Sequence, residues 1–537
     1  MIPIRQMLRA CRQGKNRLKF ADTTGVELTG AKTMLYTLVF RQVFRRLLGA
    51  DEQNVGILMP TSVYGAIVNL ALAADRRTSV NLNYTFGLDT INYCINHAEI
   101  KHVVTSRKVL DRFPNLKLDA EILVMEELGK KIKPAEKITA WIDTHLTPLW
   151  LLDWKLGLNT ISPDDMITLI FTSGSTGTPK GAMLSHQAIA DNIDAFTERL
   201  AIRKDNREND FALGSLPFFH AYGFTTTLWL PATSLVPCVY HFNPLEPKKI
   251  GEIAAKYRCT LFPTTPTFLR NYLRRCPKED FATTQTIICG AEKLPKDLIN
   301  AWEEKYGHRP AEGFGATELS PVVSTNVPKM RRTDYQFWLR EGSIGRPFYN
   351  VQARITNPDN GEVLGVNEPG MLEIKGTLVM KGYYKDPHKT ASVLRDGWYI
   401  TGDIARIDQD GFIWITGRQS RMSKIGGEMV PHILIEEAIE KVLQSKQPNI
   451  AAEEENGIVV AVSAVPDQKK GERIIVLHCP MSITPEEVCK QLHQEGMPNL
   501  WVPSPNDFYV VDKIPVLGTG KLDLRAAKHL AESMANI

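Results

Sequence analysis

Within Thr172-Ser-Gly-Ser-Thr-Gly-Thr-Pro-Lys-Gly181 the chain concentrates glycines, hydroxyl side chains, one proline and one lysine. A loop of that makeup turns backbone N–H groups and hydroxyls toward one point, and Lys180 adds positive charge, so the guest it suits is a polyphosphate. It is not the pattern of P-loop nucleotide hydrolases, which ends in Gly-Lys-Ser/Thr; here Thr-Pro separates Gly177 from Lys180. A solvated linker is the alternative, disfavoured because the apolar run 166–171 leads into the loop as a buried strand would. Three further groups could do chemistry. Glu318, closing Gly313-Phe-Gly-Ala-Thr-Glu318, is a hard oxygen ligand suited to magnesium on a nucleotide phosphate, although a lone Thr-Glu also reads as a helix cap. Asp403, in a Thr-Gly-Asp turn, is either a surface carboxylate or an acceptor for ribose hydroxyls. His220 lies in the aromatic run Ser215-Leu-Pro-Phe-Phe-His-Ala-Tyr-Gly-Phe224, as a gate beside a pocket or as a satisfied core histidine; its phenylalanines read as core.

These residues need elements to hold them. Strand-like runs at 55–59, 102–105 and 121–125 alternate with helical patterns, the signature of α/β architecture. Ser185 is a good N-cap for a helix carrying Ile189, Ile193, Phe196 and Leu200. Residues 130–160 show weak periodicity and are expected to wander on the surface. Strands are expected at 260–263 and 286–289, the second ending in Gly290-Ala-Glu292, with a helix from Pro266 between them. From Gly342 short strands with turn signals take over. Beyond Arg418 a helix at 433–443, strands at 458–464, 474–478 and 507–511, and the capping box Thr484-Pro-Glu-Glu487 describe a compact α+β unit.

A length of 537 residues allows three or four domain-sized units, and 43% hydrophobic with 23% charged residues is the balance of a soluble globular protein. A net charge of +4 lends no support to nucleic-acid binding. Basic clusters stand at Arg41/Arg45/Arg46, Arg270/Arg274/Arg275 and Lys329/Arg331/Arg332, each a solvated face or a landing site for an acidic partner. Eight scattered cysteines without a Cys-x-x-Cys pair argue against a disulfide framework or zinc site and for a reducing cytoplasm. No signal peptide is expected, and the charge-free run 55–74 contains Pro60-Thr-Ser62, which breaks it into strand, turn and helix rather than a membrane span.

The ordered motifs at 172–181, 217–223, 313–318, 399–403, 417–418 and 518–523 resemble the adenylate-forming superfamily of acyl-CoA synthetases, luciferases and peptide-synthetase adenylation domains, over roughly residues 20 to 530. The resemblance implies an α/β fold with a large multi-subdomain N-terminal adenylation domain, 1–418, and a small mobile α+β C-terminal domain, 419–537. It implies ATP and Mg2+ as cofactors, with attack of a carboxylate on the α-phosphate, release of pyrophosphate, and transfer of the acyl group from AMP to a thiol. Thr172, Ser173, Gly174, Ser175, Thr176, Gly177 and Lys180 would hold phosphates, and Glu318 the metal. Gly290, Ala291, Glu292 and Phe314 would frame the adenine, followed by Gly315, Ala316 and Thr317. Asp403 would hold the ribose with Arg418 near it. Lys521 would bridge carboxylate and α-phosphate. His220, Gly223 and Gly315 would border the acyl pocket. Lys424, Gly426 and Gly427 would approach the thiol's pantetheine arm after rotation about a hinge just past Arg418, where this chain has Ser420 and the family often has Asp or Lys.

Ser423-Lys-Ile-Gly-Gly-Glu-Met-Val-Pro-His432 with Leu517-Gly-Thr-Gly-Lys-Leu-Asp523 is similar to the acyl-acyl carrier protein synthetase half of the bacterial bifunctional 2-acylglycerophosphoethanolamine acyltransferase. The partners implied are a fatty acid and holo-acyl carrier protein, or coenzyme A as second choice. Nucleic acid and transmembrane segments are not expected, and peripheral membrane contact is compatible. His186 and Asp191 match that protein's His-x-x-x-x-Asp motif, but five positions apart on a helix they point to different faces; acyltransferase activity is expected to be absent. A different-class alternative is an inactive fatty-acid or nucleotide-binding regulator.

Overall fold

The structure, a computed structural model, describes residues 2–113, 116–172, 178–206, 209–425, 428–446, 458–467, 471–516 and 522–535. The chain divides into two compact units: Met1–Gly174, Thr178–Ala353 and Ile374–Tyr399 form the first, and Ser175–Gly177, Arg354–Glu373 and Ile400–Ile537 the second.

The first unit has the α/β layering that alternating strands and helices impose. Among the described residues, one sheet orders its six strands Glu121–Val124, His102–Thr105, Asn54–Leu58, Thr78–Asn81, Met166–Thr172 and Lys180–Ser185. All neighbours are parallel except the last pair. A second, nine-stranded sheet is parallel through its centre, with Ala212–Gly214, Leu261–Thr264, Thr286–Cys289 and Ala311–Gly315, and turns antiparallel at Val322–Thr325. Its core is aromatic: Phe281 packs against Phe262, Tyr272, Trp302 and Tyr306, with ring centroids 5.2–6.1 Å apart. The run 55–74 is the buried strand Asn54–Leu58 followed by the helix Val63–Ala74, whose cap Ser62 accepts from the Gly65 N–H at 3.2 Å. At 12 residues that helix is far too short for a bilayer, and no described helix is long and apolar enough to cross one.

Two expectations are corrected here. Residues 130–160 do not wander: they form the helices Pro134–His145 and Leu149–Lys155. Their period was hard to see because the faces are inverted, with Glu136, Asp143 and Thr144 buried and Ile138, Trp141 and Ile142 exposed. The basic clusters are not open landing faces throughout. The Arg331 side chain is mostly covered and donates to both oxygens of the buried Asp210 carboxylate (2.9 and 2.6 Å), and Arg41 is buried with its Nε on the Ala74 carbonyl (2.9 Å). The eight cysteines are all buried thiols.

In the second unit, residues 403–407 of the strand Trp398–Ile407 pair antiparallel with Ile413–Arg418. A further sheet orders Glu428–Pro431, Met422–Ile425, Gly471–His478 and Val460–Asp467, with Phe508–Val510 parallel to Gly471–His478. Helix His432–Lys446 seals it through Ile435, Ile439 and Val442. The expected capping box is present: Thr484 Oγ1 accepts from the Glu487 N–H (3.3 Å) and Glu487 returns to the Thr484 N–H (3.1 Å).

Candidate active site

The glycine-rich loop grows out of a hairpin. Strand Met166–Thr172 pairs antiparallel with Lys180–Ser185, setting Thr172 opposite Lys180. Ser173, Gly174, Ser175, Thr176 and Gly177 lie outside the described residues. The strand after the loop stops where Ser185 caps helix His186–Arg199, accepting from the Ala188 N–H at 3.1 Å. On its other edge a segment 200 residues later is laid alongside. Met183 N–H donates to Gly382 O (3.0 Å), Lys381 N–H to Met183 O (2.9 Å) and Tyr384 N–H to Gly181 O (2.8 Å). This addition brings Tyr383 to the base of the loop.

Tyr383 joins the two charged residues singled out in the sequence. Its hydroxyl donates to Glu318 Oε1 at 2.7 Å, and the Lys180 ammonium lies 5.7 Å from its ring centroid. Glu318 sits in the tight turn Thr317–Leu319 that follows strand Ala311–Gly315, and its carbonyl accepts from the Met380 N–H at 2.8 Å. Lys389, on the helix Pro387–Val393 capped by Asp386, stands beside Lys180. Burial and then Lys389 hold the Lys180 pKa below its ordinary value, while Glu318 and Asp386 oppose the shift. Burial and then Glu318 push the Tyr383 phenol up, so it stays a donor. The arrangement is two ammonium groups and one carboxylate, all half-buried, at the mouth of a loop rich in backbone donors. Charge of that kind suits a magnesium–polyphosphate.

The glycines expected near a flat ligand are enforced by packing. A Cβ on Gly315 would stand 1.8 Å from Pro321 O, and one on Gly223 would stand 2.3 Å from Pro217 O. Around them the predicted segments converge. Tyr222 donates to Ile288 O (2.8 Å), a Cβ on Gly290 would approach the Tyr222 ring to 3.2 Å, and Thr225 Oγ1 donates to Ser320 O at 3.0 Å. Ala291 holds φ +74°, a left-handed conformation that a non-glycine residue adopts at a cost of about 1–3 kcal/mol. Glu292 is occupied at the start of helix Pro266–Arg275, where its carboxylate accepts from Thr267 N–H (3.2 Å) and Oγ1 (2.7 Å). Phe314, Gly315, Ala316 and Thr317 are half-buried. His220 is half-buried with its ring 4.6 Å from that of Phe219, while Phe218 and Phe219 are core as expected.

In the second unit, Asp403 does not end a turn: Thr401-Gly-Asp403 continues one ten-residue strand, with Gly402 at φ +78°. Asp403 and Arg418 are cross-strand partners, carboxylate to guanidinium 3.5 Å. Arg418 is exposed and Asp403 mostly covered. Lys424 lies in strand Met422–Ile425 opposite Met429; Gly426, Gly427 and Lys521 lie outside the described residues. The Ser423–His432 stretch is pinned by Ser423 Oγ on His432 Nε2 (2.6 Å) and by the Arg421–Glu436 ion pair beside it. Burial, then Arg421, holds His432 neutral, its pKa lowered to about 3. Sequence reasoning missed Tyr383, Lys389 and the Arg421–Glu436 pair. A Gly-Tyr-Tyr-Lys turn carries no local signal, and only the long-range strand pairing reveals it.

No group of three or more His, Cys, Asp or Glu side chains able to hold a metal occurs among the described residues. Glu318 is a single carboxylate, and magnesium is commonly held by one or two carboxylates plus substrate phosphates.

The family model described as AMP-binding enzyme matches residues 8–384. A long-chain-fatty-acid–CoA ligase of Bacillus subtilis (strain 168) is 33% identical over 329 residues, 59% of this chain and 54% of that protein. A 4-coumarate–CoA ligase 3 of Oryza sativa subsp. japonica is 30% identical over 382 residues, 68% of this chain and 64% of that one. The chain thus spans between about half and two thirds of the length of these curated relatives. The crystal structure of ATP-bound MatB from Rhodopseudomonas palustris superposes with a TM-score of 0.80 at 24% identity, covering 99% of this chain and 100% of that one, a likeness of fold. Matched by that model over most of its length, and carrying the fold throughout, the chain belongs to the AMP-binding enzyme family.

Proposed function

We propose that this protein is an ATP-dependent acid–thiol ligase that activates a fatty acid as its acyl adenylate and passes the acyl group to a phosphopantetheine thiol. The observation that carries the reading is the Lys180–Tyr383–Glu318 group at the base of the glycine-rich loop. A carboxylate oxygen of the acid attacks the α-phosphorus, the bond to the bridging oxygen breaks and pyrophosphate leaves. Charge gathers on the phosphoryl oxygens in that step, so fixed donors and cations that need not reorganise lower the barrier. Lys180, and Lys389 with it, would face the phosphates; Glu318, held by Tyr383, would take the magnesium that comes with ATP, which would supply Lewis-acid neutralisation of phosphate charge. The Gly290–Glu292 and Phe314–Thr317 segments frame the base, Asp403 the ribose with Arg418 beside it, and His220, Gly223 and Gly315 the acyl pocket. Lys521 supplies the bridging charge during adenylation, and the domain carrying it begins just past Arg418. In the second step the thiol sulfur attacks the acyl carbonyl, and AMP leaves.

Acyl carrier protein is the acceptor this reading assigns, on the likeness of Ser423–His432 to the acyl carrier protein synthetases. Coenzyme A is the second reading, favoured by the names of the relatives. A competition tests both: protein, ATP, magnesium and a panel of fatty acids are offered holo-acyl carrier protein and coenzyme A together, and the thioesters are read by mass spectrometry. Acyl carrier protein product supports the first reading and acyl-CoA alone the second. No ATP consumption with any fatty acid refutes the substrate class.

A further inference from the structure

The helices Pro134–His145 and Leu149–Lys155 present an apolar surface to solvent. Trp150 is 74% exposed, Trp154 69%, Leu146 65% and Trp141 50%, with Ile138 and Ile142 beside them. Isolated apolar residues on a surface are ordinary; seven exposed large apolar side chains within residues 138–154, three of them tryptophans, are not. Nor is the segment loosely held. Glu136, Ala140, Asp143 and Thr144, at helical spacing, face inward. Arg46 donates to Glu136 (2.8 Å), Lys155 to both oxygens of Asp143 (2.7 Å each), Arg12 to Thr147 O (2.9 Å) and Arg5 to Asp153 (2.9 Å). Charged groups on the inward face anchor the pair, so its apolar face is displayed by construction.

Along residues 130–155 the exposed charges are of one sign. All residues from 130 to 155 are described, and every charged side chain among them that is exposed is a lysine: Lys130, Lys131, Lys133, Lys137 and Lys155. Glu136 and Asp143 are buried, and Asp153 is half-buried on Arg5.

We propose that these two helices are a docking surface for a lipid bilayer bearing anionic headgroups. Tryptophan, apolar in body and polar at its indole N–H, settles at the water–lipid boundary. Ile138, Ile142 and Leu146 enter the acyl region beneath it, and Lys130, Lys131, Lys133 and Lys137 meet lipid phosphates. A second copy of the chain fits less well: a two-fold pairing would set these lysines against themselves, with no exposed carboxylate between residues 130 and 155 to answer them. This inference rests on the surface alone and stands independently of the acceptor thiol.

Binding of the full chain to vesicles of phosphatidylcholine, and of phosphatidylcholine mixed with phosphatidylglycerol, tests it by co-sedimentation. The wild type binds the mixed vesicles, less at high salt. Removing both tryptophans, Trp150→Ala with Trp154→Ala, weakens binding about tenfold or more to either vesicle. Lys133→Ala and Lys137→Ala each weaken it about fivefold, on the anionic vesicles alone. Tyr349→Ala, another exposed aromatic of the same unit, changes nothing. Failure of the wild type to bind, or equal binding by the double tryptophan variant, overturns the proposal. So does a concentration-dependent dimer in analytical sedimentation that the same double variant abolishes.

Discussion

Replacing Tyr383 by phenylalanine takes one oxygen from the candidate site and leaves the ring under Lys180 in place. The hydroxyl donates to Glu318 at 2.7 Å, a bond to an ionised acceptor. Buried bonds of that kind contribute about 1.5–3 kcal/mol; Tyr383 is buried but Glu318 only half-buried, and solvent screening brings the figure to about 1–2 kcal/mol. Spent on holding Glu318 where it serves magnesium–ATP, that is roughly a five- to thirtyfold loss in kcat/KM for ATP. ATP–pyrophosphate exchange with a saturating fatty acid measures it without involving the thiol. Tyr383→Leu, which also removes the ring beside Lys180, should lose more. A double-mutant cycle isolates the pathway: if Tyr383 acts through Glu318, then Tyr383→Phe costs little in a Glu318→Gln background. Equal losses in both backgrounds, or full activity in Tyr383→Phe, would refute the reasoning and return Tyr383 to a packing role.

Three other outcomes are expected. Arg331→Ala leaves Asp210 as an uncompensated buried charge and lowers stability by about 3–5 kcal/mol in urea denaturation; unchanged stability with a raised carrier-protein KM would restore the docking role of that cluster. His432, with a folded pKa near 3, refuses a proton that the unfolded chain accepts below about pH 6.5, so stability falls by up to about 1.4 kcal/mol per pH unit from there downward. His432→Gln should flatten that slope in urea titrations at successive pH values, and an unaltered slope would remove the assignment. Lys521→Ala should abolish ATP–pyrophosphate exchange yet still form thioester from a supplied acyl adenylate; full ATP-dependent activity would sink the role given to this lysine.

The sequence was most informative where chemistry and folding are local. The strand into the glycine-rich loop, the cap at Ser185, the strand at Thr286–Cys289 and the Thr484 capping box follow from period, punctuation and hydrogen-bonding needs a few residues apart. What stayed hidden depends on distant partners. Nothing within ten residues of Tyr383 announces that it lies against Gly181–Met183, because main-chain pairing is blind to side-chain type. Arg331 looked like surface charge until Asp210, 121 residues away, appeared beneath it. The helices from Pro134 to Lys155 defeated the usual inference from period to burial because their salt bridges face inward. The setting of Asp403 was misread as a turn, since a left-handed Gly402 sits inside a continuing strand.

The burial of all eight cysteines has a chemical consequence. Burial pushes the thiols of Cys11, Cys94, Cys238, Cys259, Cys276, Cys289 and Cys489 above their ordinary range, so they remain protonated as well as covered. An acyl adenylate is a potent acylating agent, and a protein that makes one carries a standing hazard of modifying itself. In the proposed reaction, seven thiols that are covered and protonated compete poorly for the activated acyl group, which is then left to a thiolate brought from outside.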